Sequence, residues 1–204
     1  MQHEVETSTG PNLWYLGPDA RPAVPALVEA MKENDAKDET GHEQPPRLRV
    51  SIAAADSLCR IGPYAKEAIP ALLELVSSGE DIILQCVALN ALGSIGDQDA
   101  RVVPTLLGAL KVPRLRGAAA EGLGRLGPRR AKEIVPALLK ALDAGDVGNK
   151  EDTDLVQFFI INSLGKMGPE AKVAVPRLEA ILKAPKTRFQ AHMAAEKALV
   201  ELRR

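Results

Sequence analysis

The chain has 204 residues, 46% of them hydrophobic and 26% charged, with a formal net charge of −1. These values exclude a disordered chain and a globally basic nucleic-acid binder, and two Cys and three His are too few for a disulfide framework or a zinc ribbon. Aromatic residues make up only 3%, so the core must be built from Ala, Leu, Ile and Val, which suits close-packed helices better than a sandwich or barrel.

Residues 1–12 (MQHEVETSTGPN) are polar and acidic and read as an irregular segment. They carry neither the basic n-region nor the apolar h-region of a signal peptide, so a cytoplasmic location is expected. No run of 18 apolar residues occurs, so no membrane span is expected. From residue 13 to residue 204 the chain reads as one repeat domain. It opens on the end of a helix, Leu13–Leu16, with Trp14 and Tyr15 placed either to cover the open end of a stack or to anchor a partner.

Five corners follow at Gly17, Gly62, Gly96, Gly127 and Gly168, each eight or nine residues ahead of a proline: Pro25, Pro70, Pro104, Pro136 and Pro176. Each glycine suits the positive φ of a helix C-terminus. A proline directly after four of them stops that helix, and the second proline fits the first turn of the next. After it Leu recurs two residues on, at Leu27, Leu72, Leu106, Leu138 and Leu178, with apolar residues at five and six. That is a one-sided helix of about three turns, here helix B.

The helix before each corner, helix A, has its own template. Position −4 from the glycine is always Leu, from Leu13 to Leu164; position −1 is apolar; position −8 is Ala54, Ala88, Ala119 or Ile160; position −12 is Val50, Leu84, Leu115 or Val156. Steps of three and four place these on one face. Position −5 is small (Ser57, Ala91, Gly122, Ser163), which permits close helix approach. Two polar connections, Asn34–Arg47 and Ala144–Thr153, join a helix B to the next helix A and read as loops. The segment from Arg188 to Arg204 reads as one more helix A. The stack is then either capped by half-repeats or part of a longer array.

The segments 91–110, 122–127 and 163–168 resemble HEAT repeats, specifically the HEAT-like repeats first recognised in phycobilisome lyases. Arg116, eleven before Gly127, sits where that family often has Arg, with Ser51, Gln85 and Gln157 in its place elsewhere. The resemblance implies an all-α fold: a right-handed α-solenoid of about five helical-hairpin repeats, with the B helices lining the concave side. The tetratricopeptide and ankyrin patterns are absent.

Chemistry is sparse. Deoxyhypusine hydroxylase resembles this architecture and uses His-Glu pairs, but here His3-Glu4 and His42-Glu43 fall in predicted coil and His192 stands alone. A glycosylase-like site needs a basic face and stacking aromatics; Phe158, Phe159 and Phe189 fall on A helices, at least one of the adjacent pair as core. A bilin-lyase activity has no residue signature. Cys59 and Cys86 read as small core residues at different heights, which argues against a disulfide. The expectation is a non-catalytic protein with no metal and no cofactor; a nucleic-acid-binding, glycosylase-like solenoid is the alternative, and a bilin-lyase-like or metal-dependent enzyme the next after it.

The polar face of the B helices includes Glu29, Glu74, Thr105, Lys140 and Arg177 among small residues, a groove suited to a peptide or helix. Residues 1–81 carry 7 Lys and Arg against 14 Asp and Glu, a net of −7; residues 82–204 carry 19 against 13, a net of +6, and together these return −1. The densest basic stretch, Lys111–Lys132, contains Arg114, Arg116, Arg125, Arg129, Arg130 and Lys132 against Glu121 alone. The expected partner is another protein or peptide, acidic in character, docking on the groove and this basic stretch.

Overall fold

The computed structural model describes residues 17–32, 45–79, 81–144, 150–184 and 189–204. The expectations for residues 1–12, for Trp14 and Tyr15 in Leu13–Leu16, and for His3, Glu4, His42 and Glu43 lie outside the described residues. Every regular element described is helical: α1 (Val24–Lys32), α2 (Pro45–Ile61), α3 (Ile69–Ser78), α4 (Ile82–Ile95), α5 (Val102–Ala109), α6 (Arg116–Leu126), α7 (Ala131–Asp143), α8 (Lys150–Lys166), α9 (Val175–Lys183) and α10 (Phe189–Arg203). The even-numbered helices are the A helices and the odd-numbered ones the B helices. Each A helix packs on the A helix before it, α2 on α4, α4 on α6, α6 on α8 and α8 on α10, and the B helices form a second layer behind them.

The corners form as the glycines require. Gly62, Gly96, Gly127 and Gly168 take φ of 62°, 97°, 72° and 58°, a region open to glycine at no steric cost. Short 3₁₀ segments follow three of them, at Gly62–Ala68, Pro128–Arg130 and Gly168–Ala174, and another spans Gly17–Ala23. The prolines Pro25, Pro70 and Pro176 fall second in their helices and Pro104 third. The fourth corner differs. It is one residue longer, its 3₁₀ segment shrinks to Pro128–Arg130, and α7 starts early, so Pro136 lies inside that helix rather than in its first turn.

The two connections expected as loops are shorter than their composition suggested. Helix α2 already starts at Pro45 and α8 at Lys150. Prolines at the start of α2 forfeit no intrahelical hydrogen bond, and acidic residues near the start of α8 favour the positive end of its dipole.

The apolar template becomes the core. Leu58, Leu92, Leu123 and Leu164 at −4 are fully buried, as are Leu72, Leu106, Leu138 and Leu178 on the B helices. At −12 Leu84 and Leu115 are buried, Val156 is half-buried and Val50 is 49% exposed. On α2, α4 and α6 position −11 does a second job: its side chain reaches a carbonyl at the end of the preceding B helix, where intrahelical donors run out. Gln85 Nε2 donates to Val76 O at 2.7 Å, Arg116 Nε to Leu110 O at 3.1 Å, and Ser51 Oγ to Ala30 O at 3.5 Å. All three side chains are buried.

The A layer is held by small residues. A Cβ placed on Gly93 would lie 2.3 Å from Gly122 O; one on Gly122, 2.7 Å from Leu89 O; one on Gly124, 2.5 Å from Ser163 Oγ; one on Gly165, 3.2 Å from Ala198. Position −3 of one A helix therefore meets position −5 of the next, repeat after repeat. Ser163 Oγ adds a buried hydrogen bond to Ala120 O at 2.8 Å across the α6–α8 contact.

Two glycine substitutions on helices should move stability in opposite directions. Gly93→Ala drives a methyl into the α6 backbone and should cost about 3 kcal/mol, whereas at Gly108 nothing lies within 4 Å of the new Cβ and Gly108→Ala should add about 0.5–1 kcal/mol. Gln85→Ala strands the Val76 carbonyl and should cost about 1–3 kcal/mol. Chemical denaturation midpoints of the three variants check these signs.

Candidate protein-binding surfaces

The basic stretch read along the chain is not one surface. Lys111 and Arg114 lie in the turn between α5 and α6, while Arg125, Arg129, Arg130 and Lys132 gather at the Gly127 corner. Helix α6, 11 residues long, separates the two groups by about 16 Å at 1.5 Å per residue. Arg116 belongs to neither. It is only 7% exposed and caps α5, so it is a structural residue rather than one offered to a partner; its Nη1 has no hydrogen-bond partner among the described residues.

At the corner the arginines divide by their partners. Arg125 donates to Glu121 at 2.8 Å and to Ser94 Oγ at 3.1 Å. Arg130 pairs with Glu133 at 2.7 Å and reaches Asp97 on the previous corner at 3.7 Å. Those carboxylates are therefore used within the stack. Arg129 and Lys132 are exposed and make no ion pair among the described residues.

This edge of the molecule has a regularity that the sequence itself carries. Each corner carries an Ala-Arg or Ala-Lys step: Ala20-Arg21, Ala65-Lys66, Ala100-Arg101, Ala131-Lys132 and Ala171-Lys172. Every cation of the five is exposed, and every alanine but Ala100 is buried. Arg21 is tied to Glu67 of the next corner at 2.6 Å. Arg101 closes on Asp99 at 2.7 Å and holds that carboxyl down to about 2 by hydrogen bonding. Gln98 Nε2 ties the third corner to Pro63 O of the second at 3.0 Å.

The expected groove residues Glu29, Glu74, Lys140 and Arg177 are exposed on their B helices, and Thr105 is half-buried. Arg177 on α9 is held by Asp143 at the end of α7, 2.7 Å away. The B-layer surface thus has Glu29 and Glu74 toward its N-terminal side and Lys140 and Arg177 toward its C-terminal side.

On the opposite, A-helix face there is a hollow of about 420 Å³ over α6. It exists because α6 presents Gly117 and Ala118 where α8 presents Phe158 and Phe159. Ile82, Cys86, Pro113, Val156 and Phe159 line it, with Arg114, Glu121 and Asp152 at its polar side. Phe158 and Phe159 pack edge to face at 5.5 Å and are both half-buried, so neither is wholly core. Sequence periodicity did not signal the hollow, since it depends on three helices side by side.

Cys59 and Cys86 are both free and half-buried rather than core. The Cys59 thiol lies 3.1 Å from Ser94 Oγ. Burial, and then the charge of Asp81, push the Cys86 thiol up. On the same outer face partial burial, and then the charges of Arg125 and Lys197, hold the Lys166 ammonium below its ordinary range, with Glu121 opposing.

Alkylation by iodoacetamide should therefore be slow at Cys86 at pH 7 and rise about tenfold per pH unit to beyond pH 9, since the thiolate is the reacting form. Mass-spectrometric rates at that site across pH 7–10 check this; a rate already level at pH 8 would contradict the raised value.

No described helix is long and apolar enough to cross a membrane. No curated protein matches the chain in sequence. The family model described as PBS lyase HEAT-like repeat matches residues 52–78 and 115–144. The first segment runs from α2 through its corner to the end of α3, and the second runs from the start of α6 to the end of α7, so each is one helix A, one corner and one helix B. Each matched segment is thus one repeat of the PBS lyase HEAT-like kind, and the helical pairs that recur in register along the A layer build a HEAT-like α-solenoid.

Proposed function

We propose that this solenoid is a non-catalytic scaffold that binds an acidic segment of another protein. The observation that carries the reading is the imbalance at the Gly127 corner. Arg125 and Arg130 consume the neighbouring carboxylates, and Arg129 and Lys132 are left exposed without a counter-ion among the described residues. Exposed like charges on a rigid edge attract an oppositely charged partner and speed its encounter. The B-layer surface extends the contact, with Lys140 on the same C-terminal side of the stack beside the Asp143-bound Arg177, and Glu29 and Glu74 setting the polarity of the bound segment. Arg114 contributes from the far edge.

A nucleic acid as partner is disfavoured by the same pairing, because a duplex or single strand needs several uncommitted cations along its track.

The double variant Arg129→Glu/Lys132→Glu should lose at least tenfold in affinity for the protein captured by the wild-type chain from lysate of its source, with the far-UV spectrum unchanged. Retention of the same partners at the same strength would overturn the corner as the docking site. Heparin chromatography separates the other reading: elution at low salt is expected, and strong retention with a steep salt dependence would favour a nucleic acid.

A further inference from the structure

We propose that the outer face of α10 is a self-association surface, on which α10 of a second copy of this chain packs antiparallel about a two-fold axis. The register of α10 follows from Ala198, which meets Gly165 of α8 as Gly122 meets Gly93 and Ser163 meets Gly124. Ala198 is therefore position −5, and positions −14, −10, −7 and −3 are Phe189, Met193, Glu196 and Val200.

On the inner A helices position −7 is fully covered by the next A helix: Ala55, Leu89, Ala120 and Ile161 are each 0% exposed. On α10 position −7 is the exposed Glu196, and the apolar side chains flanking it on the same face, at −14, −10 and −3, are exposed too. Phe189 is 78% exposed, Met193 49% and Val200 57%. Three large apolar side chains spaced four and seven residues apart on one helix face are the pattern of a helix that receives another helix.

Two observations decide the occupant. Position −3 is Gly on α4, α6 and α8, Cys59 on α2 and the larger Val200 on α10, so a helix received on α10 packs at the ordinary 8–10 Å rather than at the glycine contact of the inner repeats. The centre of the stripe carries Glu196 beside Lys197, both exposed. An antiparallel pairing centred between them sets Met193 of each copy against Val200 of the other, and Glu196 of each against Lys197 of the other. The face is thus complementary to itself in both apolarity and charge, the condition for an isologous two-fold contact. His192 also faces Glu196, at 3.9 Å within the helix. Arg203 is turned away onto Glu179 of α9.

One short helix per copy covers less than the roughly 800 Å² per partner of a standard interface, so the association is weak, with a midpoint on the order of 100 µM, about −5.5 kcal/mol. It does not depend on the scaffold reading above.

Sedimentation equilibrium of the full chain from 5 to 500 µM tests it. The expected result is a mass that rises from one copy and levels at two. Met193→Glu and Val200→Glu should each abolish the rise. Glu196→Lys should weaken it at least tenfold, and Glu196→Lys/Lys197→Glu should restore it. A one-copy mass throughout overturns the proposal. A mass that climbs past two copies also overturns it, because head-to-tail contacts do not close. So does a dimer untouched by the Met193 and Val200 variants. All four positions are exposed, and circular dichroism of each variant confirms that folding is not the cause.

Discussion

The close approach of successive A helices is the constraint on which the rest of this molecule depends. Gly93 against Gly122, Gly124 against Ser163 and Gly165 against Ala198 leave no room for a larger side chain on either partner. Close backbone contact maximises dispersion between helices that have few rings to fill a gap. It explains why 3% aromatic content suffices for a core of this length. It also makes the stack rigid in register: once −3 meets −5, the remaining positions of the A helices are aligned from repeat to repeat.

That alignment has electrostatic consequences. It sets Arg125 beside Ser94, places Lys166 near Arg125 and Lys197, and brings Asp97 within reach of Arg130 from the next corner. Among the described residues Arg21, Arg130 and Arg177 are thus tied to a neighbouring repeat, whereas Arg129 and Lys132 are left over at an edge. Arg116 shows the first fate in its strongest form. Its guanidinium closes the end of α5 inside the stack, and Gln85 does the same for α3 with a neutral amide. A buried charge is tolerable there because the Leu110 carbonyl accepts from it, and an unpaired carbonyl at a buried helix end would be costly.

The hollow over α6 and the open face of α10 are the two places where the template is broken on the A-helix side. At α6 the break is a deficit of volume, Gly117 and Ala118 beside Phe158 and Phe159. At α10 it is an excess, Val200 where α4, α6 and α8 carry buried glycines. A deficit makes a concavity and an excess makes an exposed apolar face. In a solenoid each repeat contacts only its neighbours, so such departures act locally and leave the rest of the stack unaffected.

Much of the architecture was legible in the sequence, because glycine and proline act through their own backbone limits and the apolar period of a helix is a local property. The corners at Gly62, Gly96, Gly127 and Gly168, the buried Leu at −4 and the small residue at −5 needed no knowledge of neighbours. What the sequence could not supply was adjacency across repeats. It ran Lys111–Lys132 together as one basic stretch, where the fold splits that stretch over two edges, buries Arg116 and pairs Arg125 and Arg130. It placed Pro136 in a first turn, whereas a corner one residue longer puts it inside α7. The contacts of Arg125 with Ser94 and of Arg130 with Asp97, and the shape of the surface around them, join residues more than 30 apart in the chain and a few ångströms apart in space, and only packing brings those together.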